Sequence, residues 1–299
     1  MSRSTRRAAP RNHRAAMTKT PDPRRHAFRP DLADARLSGR VEAARFVEGT
    51  LREVVAPVTA LRRHPARDAP LESEALAGEV VRAFEARADG WSWVQLGRDR
   101  HVGYVETVAL AAPGAAPTHR LVVPRSFVYP APDVKSPPLS WLPLGARFAA
   151  AAHDERFVAL ARGGFLVARH AAPLDAPPAP DFVAVAEEFL SVPYLWGGRT
   201  GLGLDCSGLV QVALDAAGIA APRDSDMQEA ELGTAINDRA NLRRGDLVFW
   251  KGHVGAMRDA RILVHANGHH MQVAAEPLAE AEARIAARGG GPVTSIRRL

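Results

Sequence analysis

The sequence predicts an α+β chain in which two small all-β units precede a domain that sets one helix against a short antiparallel sheet. Three observations carry this. Between residues 50 and 172, β-branched, aromatic and other apolar residues come in short runs broken by glycine, proline and charged turns, which is the pattern of strands. Leu209, Val210, Ala213, Leu214 and Ala217 then recur at helical spacing, with Asp205 to cap the start and Gly218 to supply the stop. Beyond that helix, Asp246 to Trp250, Val254 to Met257 and Arg261 to Val264 read as short strands separated by turns. A chain of 299 residues usually holds more than one domain, and 46% hydrophobic content with ordinary charge is globular.

Residues 1–30 hold much of the excess behind the net charge of +6: Arg3, Arg6, Arg7, Arg11, Arg14, Lys19, Arg24, Arg25 and Arg29 stand against only Asp22. They read as a basic, disordered tail, with Met17 as an alternative start. The basic start is followed by no apolar stretch of the kind a secretory signal needs, so a cytoplasmic location is expected. With no aromatic residue before Phe28, specific nucleic-acid binding is not expected either. No run approaches the length needed to span a membrane.

From residue 31 to 49, Leu32, Ala35, Leu37, Val41, Ala44 and Phe46 suggest short helical turns broken at Gly39. Residues 50–112 change to strands: Val54-Val55, Leu76, Val80 to Phe84, Trp91 to Gln95 and Val102 to Val105. Gly78-Glu79-Val80, Asp89-Gly90-Trp91 and Gly103-Tyr104-Val105 resemble a bacterial SH3 (SH3b) barrel. Trp91 and Trp93, two apart on one strand, share a face that is either barrel core or an exposed aromatic patch beside the active site. Residues 118–172 repeat the pattern more faintly and read as a second SH3b-like unit. Residues 173–180 form a stiff proline-rich linker into a last domain over 181–299.

That domain holds the only cysteine, in Asp205-Cys206-Ser207-Gly208. In the first turn of a helix, unpaired amides and the positive end of the dipole favour thiolate over thiol. A nucleophilic cysteine needs a base and a third polar group to orient it, distant in sequence and adjacent in the fold. His253 and His265 qualify, since they would lie on neighbouring strands of one sheet. Asn267 competes with His265 for the orienting role, whereas His269 and His270 read as loop residues. One cysteine and scattered histidines lack the ligand spacing of a metal site, and no cofactor is implied. A single cysteine also excludes an intramolecular disulfide.

Four blocks, Pro193-Tyr194-Leu195-Trp196-Gly197-Gly198, Asp205-Cys206-Ser207-Gly208-Leu209, Arg243-Arg244-Gly245-Asp246-Leu247-Val248-Phe249-Trp250 and His253-Val254-Gly255, together resemble an NlpC/p60 cysteine peptidase domain. The resemblance implies a papain-like fold and cleavage of the stem peptides of bacterial cell walls. It makes Cys206 the nucleophile, His253 the base, His265 its partner and Tyr194 a contributor to the oxyanion site through its hydroxyl. Within that family the chain resembles a subgroup with SH3b domains ahead of this unit, which hydrolyses the bond between γ-D-glutamate and an L-diamino acid, lysine or meso-diaminopimelate, on peptides with a free L-alanine amine. An Asp-Ser pair holds that amine, here Asp224-Ser225, although either residue would also cap a helix running into Met227. Trp196, Asp205 and Ser207 complete the expected substrate-binding set. The implied partner is a murein-derived peptide, met during recycling; an exported hydrolase of intact wall and a noncatalytic wall-binding scaffold are the alternatives. Nothing in the sequence fixes an oligomeric state.

Overall fold

The structure, a computed structural model that describes residues 21–299, opens with a strap of extended chain. Phe28–Arg29 (β1), Leu32–Asp34 (β2) and Phe46–Val47 (β3) form a small sheet in the order β1-β2-β3. Two expectations are corrected here. The tail read over residues 1–30 is ordered from residue 21 onward, because Ala27 and Leu32 are buried against Phe84 and Trp93 of the next unit; residues 1–20 lie outside the described residues. The helical turns expected over residues 31–49 reduce to a single 3-10 turn, Ala35–Leu37, capped by Asp34. Helix nucleation is unfavourable in so short a segment; Leu32 is buried as part of a strand and Leu37 in the 3-10 turn, whereas Ala44 and Phe46 stay exposed.

Thr50–Val54 (β4), Val58–Arg62 (β5), Leu71–Leu76 (β6), Val80–Ala86 (β7), Trp91–Leu96 (β8), Val102–Glu106 (β9) and Leu110–Ala111 (β10) make a seven-stranded sheet ordered β10-β4-β7-β8-β9-β5-β6. Its core is Val54, Leu61, Val81, Val94, Leu96 and Val105. Trp91 and Trp93 are both buried, so they form no exposed aromatic patch. Trp93 packs 5.6 Å from Phe84, with the Arg29 guanidinium 4.5 Å over its ring, and it is the strap that covers it.

The second unit contains His119–Leu121 (β11), Arg125–Val128 (β12), Ser140–Pro143 (β13), Arg147–Phe148 (β14), Ala150–His153 (β15), Phe157–Leu160 (β16), Phe165–Val167 (β17) and Ala171–Pro173 (β18). They pair in three small sheets, β14-β11-β18, β12-β13 and β15-β16-β17, around Leu121, Val128, Leu142, Ala146 and Leu166. Arg120 pins the proline-rich segment that follows, donating to the carbonyls of Pro173, Leu174, Ala176 and Pro177 at 2.9–3.0 Å.

The last domain runs Phe182–Glu187 (α1), Arg199–Thr200 (β19), Gly203–Leu204 (β20), Cys206–Ala216 (α2), Ser225–Glu231 (α3), Thr234–Ala235 (β21), Leu247–Trp250 (β22), His253–Met257 (β23), Ile262–Asn267 (β24), Gln272–Pro277 (β25), Leu278–Ala287 (α4) and Ser295–Arg298 (β26). Its six-stranded sheet has the order β21-β26-β22-β23-β24-β25. Alternation along the strands divides the burial: Leu247, Phe249, Val254, Ala256 and Val264 pack toward α2, while Val248, Trp250, Met257 and Leu263 pack toward α4. Among the described residues no helix is long and apolar enough to cross a membrane.

Candidate active site

The start of α2 is held by one buried carboxylate. Asp205 Oδ1 accepts the Gly208 amide at 2.7 Å, which is the helix cap, and Oδ2 accepts the Gly197 amide at 2.8 Å. The Arg223 guanidinium, almost wholly buried, completes the pair by donating to both oxygens at 2.9 and 2.7 Å. The same guanidinium reaches Ser207 Oγ at 2.9 Å and, across the domain boundary, Ser73 Oγ at 3.1 Å. Asp205 and Ser207, expected to bind substrate, line the cleft while their side-chain oxygens also fix the helix start. Gly208 is required because a Cβ there would lie 2.2 Å from the Gly198 carbonyl oxygen. Gly197, at φ 77°, brings the loop within reach of the first barrel, and a Cβ on it would meet the Leu71 carbonyl at 2.7 Å.

Buried polar contacts continue along that junction. Glu74 of β6 accepts the backbone amide of Arg199 at 2.8 Å, Arg98 pairs with Glu79 at 2.7 Å and with Asp215 of α2, and Gln211 of α2 donates to Asp99 at 3.0 Å. The helix that carries Cys206 is thus tied to the first barrel through Asp215 and Gln211 as well as packed on its own sheet.

Cys206 sits in the first turn, where the backbone amides of Val254 and Ser207 favour its thiolate. These donors and the helix terminus do not prevail: burial, reinforced by the neighbouring Asp205 charge, pushes the thiol up to about 12. The expected resting thiolate is therefore corrected to a neutral thiol. A two-residue turn, Lys251-Gly252, places His253 at the start of β23, paired with Trp250 across it. His253 Nε2 lies 2.7 Å from His265 Nδ1 on the adjacent β24, and His265 Nε2 lies 2.7 Å from Glu276 Oε1 on β25. Burial, followed by the neighbouring His265, lowers His253 to about 3, and burial likewise lowers His265, so both rings rest neutral. Asn267 faces elsewhere: its Oδ1 accepts the amides of His269 and His270 and closes the loop there. Tyr194 is half-buried, and burial and then the nearby Cys206 raise its hydroxyl well above the ordinary phenol range.

Beside Cys206 opens a cleft of about 260 Å³. Asp224, Ser225, Asp226 and the 65%-exposed Trp196 line it, and so do Arg63 and Glu72 of the first barrel and Arg24 of the strap. Asp224 stands at the N-cap position of α3 yet makes no capping bond with its side chain; its Oδ2 accepts from Arg24 at 2.9 Å instead. Arg24 also bridges to Asp226 at 2.9 Å and Asp22 at 2.8 Å, and Arg63 pairs with Glu72 at 2.6 Å. Of the side chains that line the cleft, the carboxylates Glu72, Asp224 and Asp226 outnumber the guanidiniums Arg24 and Arg63, which leaves the cleft net negative. Sequence reading missed Arg24, Arg63, Glu72 and Glu276. Only Glu276 carries a signal, as the one acid in the otherwise apolar or neutral Gln272–Pro277. Among the described residues no group of three or more His, Cys, Asp or Glu side chains could hold a metal ion.

The NlpC/P60 family matches residues 191–284, and the bacterial dipeptidyl-peptidase Sh3 domain matches residues 61–110. A gamma-D-glutamyl-L-lysine dipeptidyl-peptidase of Bacillus cereus is 39% identical over 77 residues, 26% of this chain and 22% of that one. Dipeptidyl-peptidase 6 of Lysinibacillus sphaericus is 36% identical over 86 residues, 28% of this chain and 31% of that one. The match therefore spans less than a third of either relative. Among solved structures, an NlpC/P60 family protein from Bacillus cereus superposes with a TM-score of 0.70 at 20% identity, covering 83% of this chain and 99% of that one, which shows a shared fold.

Proposed function

We propose that this chain, which carries an NlpC/P60 cysteine peptidase domain behind a bacterial SH3 domain, hydrolyses the γ-D-glutamyl bond to an L-diamino acid in murein-derived peptides with a free N-terminal L-alanine. The observation that carries the reading is the Asp224 carboxylate: it faces the cleft beside Cys206, leaves the α3 cap position unused and already holds a cation, Arg24. An ammonium entering a net negative, partly desolvated cleft gains a charge-assisted hydrogen bond there. Relatives named gamma-D-glutamyl-L-lysine dipeptidyl-peptidase, in Bacillus cereus and Bacillus subtilis, support the choice of bond.

The chemistry follows from the resting protonation states. Cys206 Sγ attacks the γ-carbonyl carbon while its proton passes to neutral His253, so attack and proton transfer are one general-base step. The oxyanion meets the Cys206 amide, unpaired in the first helical turn, and the Tyr194 hydroxyl. Collapse breaks the C–N bond, the leaving amine takes the proton from His253, and water then hydrolyses the thioester to release L-alanyl-D-glutamate. A free amine exists only after the glycan has been removed. The specificity thus suits recycling of released peptides in the cytoplasm and spares intact wall.

Mass spectrometry of products from L-Ala-γ-D-Glu-diaminopimelate and its N-acetylated form tests this. Cleavage of the free-amine peptide alone is expected; equal cleavage of both, or release of fragments from intact wall, overturns the reading.

A further inference from the structure

We propose that Glu276 is a positioning residue that fixes which ring nitrogens of the histidine pair carry protons, and so makes Nδ1 of His253 the atom that receives the Cys206 proton. The inference rests on the cysteine-peptidase reading above, but not on the identity of the peptide.

Glu276 is buried on β25, and each of its oxygens has a donor. Arg284 of α4 donates to Oε2 and, at 2.6 Å, to Oε1; His265 Nε2 is 2.7 Å from the same Oε1. The guanidinium and His265 hold the carboxyl ionised against the effect of burial. An ionised carboxylate only accepts, so the proton between it and His265 must sit on His265 Nε2. A neutral imidazole has a single N–H, which leaves His265 Nδ1 bare and able only to accept. The proton in the 2.7 Å contact to His253 must therefore belong to His253 Nε2, and His253 Nδ1 is left with its lone pair free. Val254, whose amide favours the Cys206 thiolate, follows His253 directly on β23, so the sulfur lies beside that end of the strand. Without Glu276 the opposite arrangement is open: His265 donates from Nδ1, His253 accepts at Nε2, and a proton on His253 Nδ1 faces the thiol where a base is needed. When the thiol proton does transfer, His253 becomes an imidazolium whose Nε2–H points at a ring already polarised by the Glu276 charge.

The test is Glu276→Gln in the full chain, which keeps shape and one acceptor but removes the charge and admits either tautomer. Because Cys206 is the only cysteine, its alkylation by iodoacetamide reads thiol activation at one site, without any substrate. At pH 7 the variant should alkylate, and turn over peptide, at least about 10-fold more slowly with KM little changed, as expected for a misdirected general base. The His265 Nε2 proton signal in nitrogen-15 spectra should shift or vanish, and Glu276→Asp should restore part of the rate. Alkylation and kcat within about two-fold of wild type overturn the proposal, even if the melting temperature falls, since that result assigns Glu276 to stability alone. Should Glu276→Gln not fold, Arg284→Gln loosens the same carboxylate from the helix side: a loss of alkylation rate of about three-fold or more supports the proposal, and an unchanged rate overturns it. Wild-type protein that fails to cleave the peptide while the variants keep this order in alkylation overturns the substrate assignment and leaves the role of Glu276 standing.

Discussion

A thiol in the first turn of α2 meets two opposing influences, the unpaired amides that favour its anion and the burial that disfavours it, and at Cys206 burial prevails. In the proposed mechanism, activation then depends wholly on His253. Cys206→Ala should abolish hydrolysis with little change in melting temperature, and retained turnover in the purified variant would remove it as nucleophile. His253→Ala should lose about 10²–10⁴-fold in kcat. His265→Ala should lose less than His253→Ala but more than Asn267→Ala, whose side chain serves the loop; the reverse order would transfer the orienting role to Asn267. Asp224→Asn should lower kcat/KM for the free-amine peptide by at least about 10-fold, since a hydrogen bond to a charged group contributes roughly 1.5–3 kcal/mol. As Asp224 makes no capping bond, its melting temperature should hold; a drop with equal losses on the acetylated peptide would make Asp224 structural. Acid stability has a definite sign. The folded state lowers His253 from 6.5 to about 3, so the stability it contributes is complete above 6.5 and is lost as pH falls toward 3. Glu276, lowered from 4.5 to about 2, acts in the same sense below 4.5. The melting temperature should fall across this range less steeply in His253→Gln than in wild type. Cys206, His253, Tyr194 and Asp224 could be nominated from the sequence because each sits in a contiguous block. Glu276 stands out only as an isolated acid and could not be assigned to the site, because its contact with His265 depends on the register that sets Ala274 opposite His265 and Glu276 opposite Leu263.

Helix α2 is the element on which these residues converge, and its anchorage is ionic as well as apolar. Arg223 satisfies Asp205 inside the domain and Ser73 outside it, so one side chain fixes both the helix start and the seating of the first barrel. Arg223→Met leaves a buried carboxylate without its cation, and breaking such a pair costs about 3–5 kcal/mol. Urea denaturation should show a loss of that size together with a fall in kcat; a change below about 1 kcal/mol would mean that the cap amides alone satisfy Asp205. The helix itself was plain in the sequence, with periodic apolar residues between an Asp cap and a glycine stop. The strap was not. Its strands β1, β2 and β3 are too short to display an alternation, and its apolar residues are explained only by Phe84 and Trp93, which are remote in sequence. Of the arginines that marked it as a tail, the three in the described residues are each ion-paired: Arg24 with Asp22, Asp224 and Asp226, Arg25 with Glu231, Arg29 with Asp31 and Glu85.

At the scale of the molecule, strap, first barrel and last domain share one cleft, contributing Arg24, Arg63 with Glu72, and Asp224 with Cys206 in turn. Arg24 holds the carboxylate that the substrate ammonium is proposed to meet. Arg24→Gln should therefore lower KM for the free-amine peptide by about three-fold or more, and a rise in KM would instead make Arg24 a substrate contact. The motifs told which units are present, but not that they meet at one site, since the contacts are made by single side chains outside every motif. The pairing of Arg24 with Asp224 closes a separation of 200 residues, and that of Arg223 with Ser73 one of 150. Contacts of such long range have an unfavourable loop-closure entropy that must be met before they stabilise anything, and they form late. On refolding from urea, each all-β unit can regain its strands while the cleft is still absent. Recovery of activity should lag behind recovery of circular dichroism, and a nascent chain should hold a folded amino-terminal half long before it can cut a peptide.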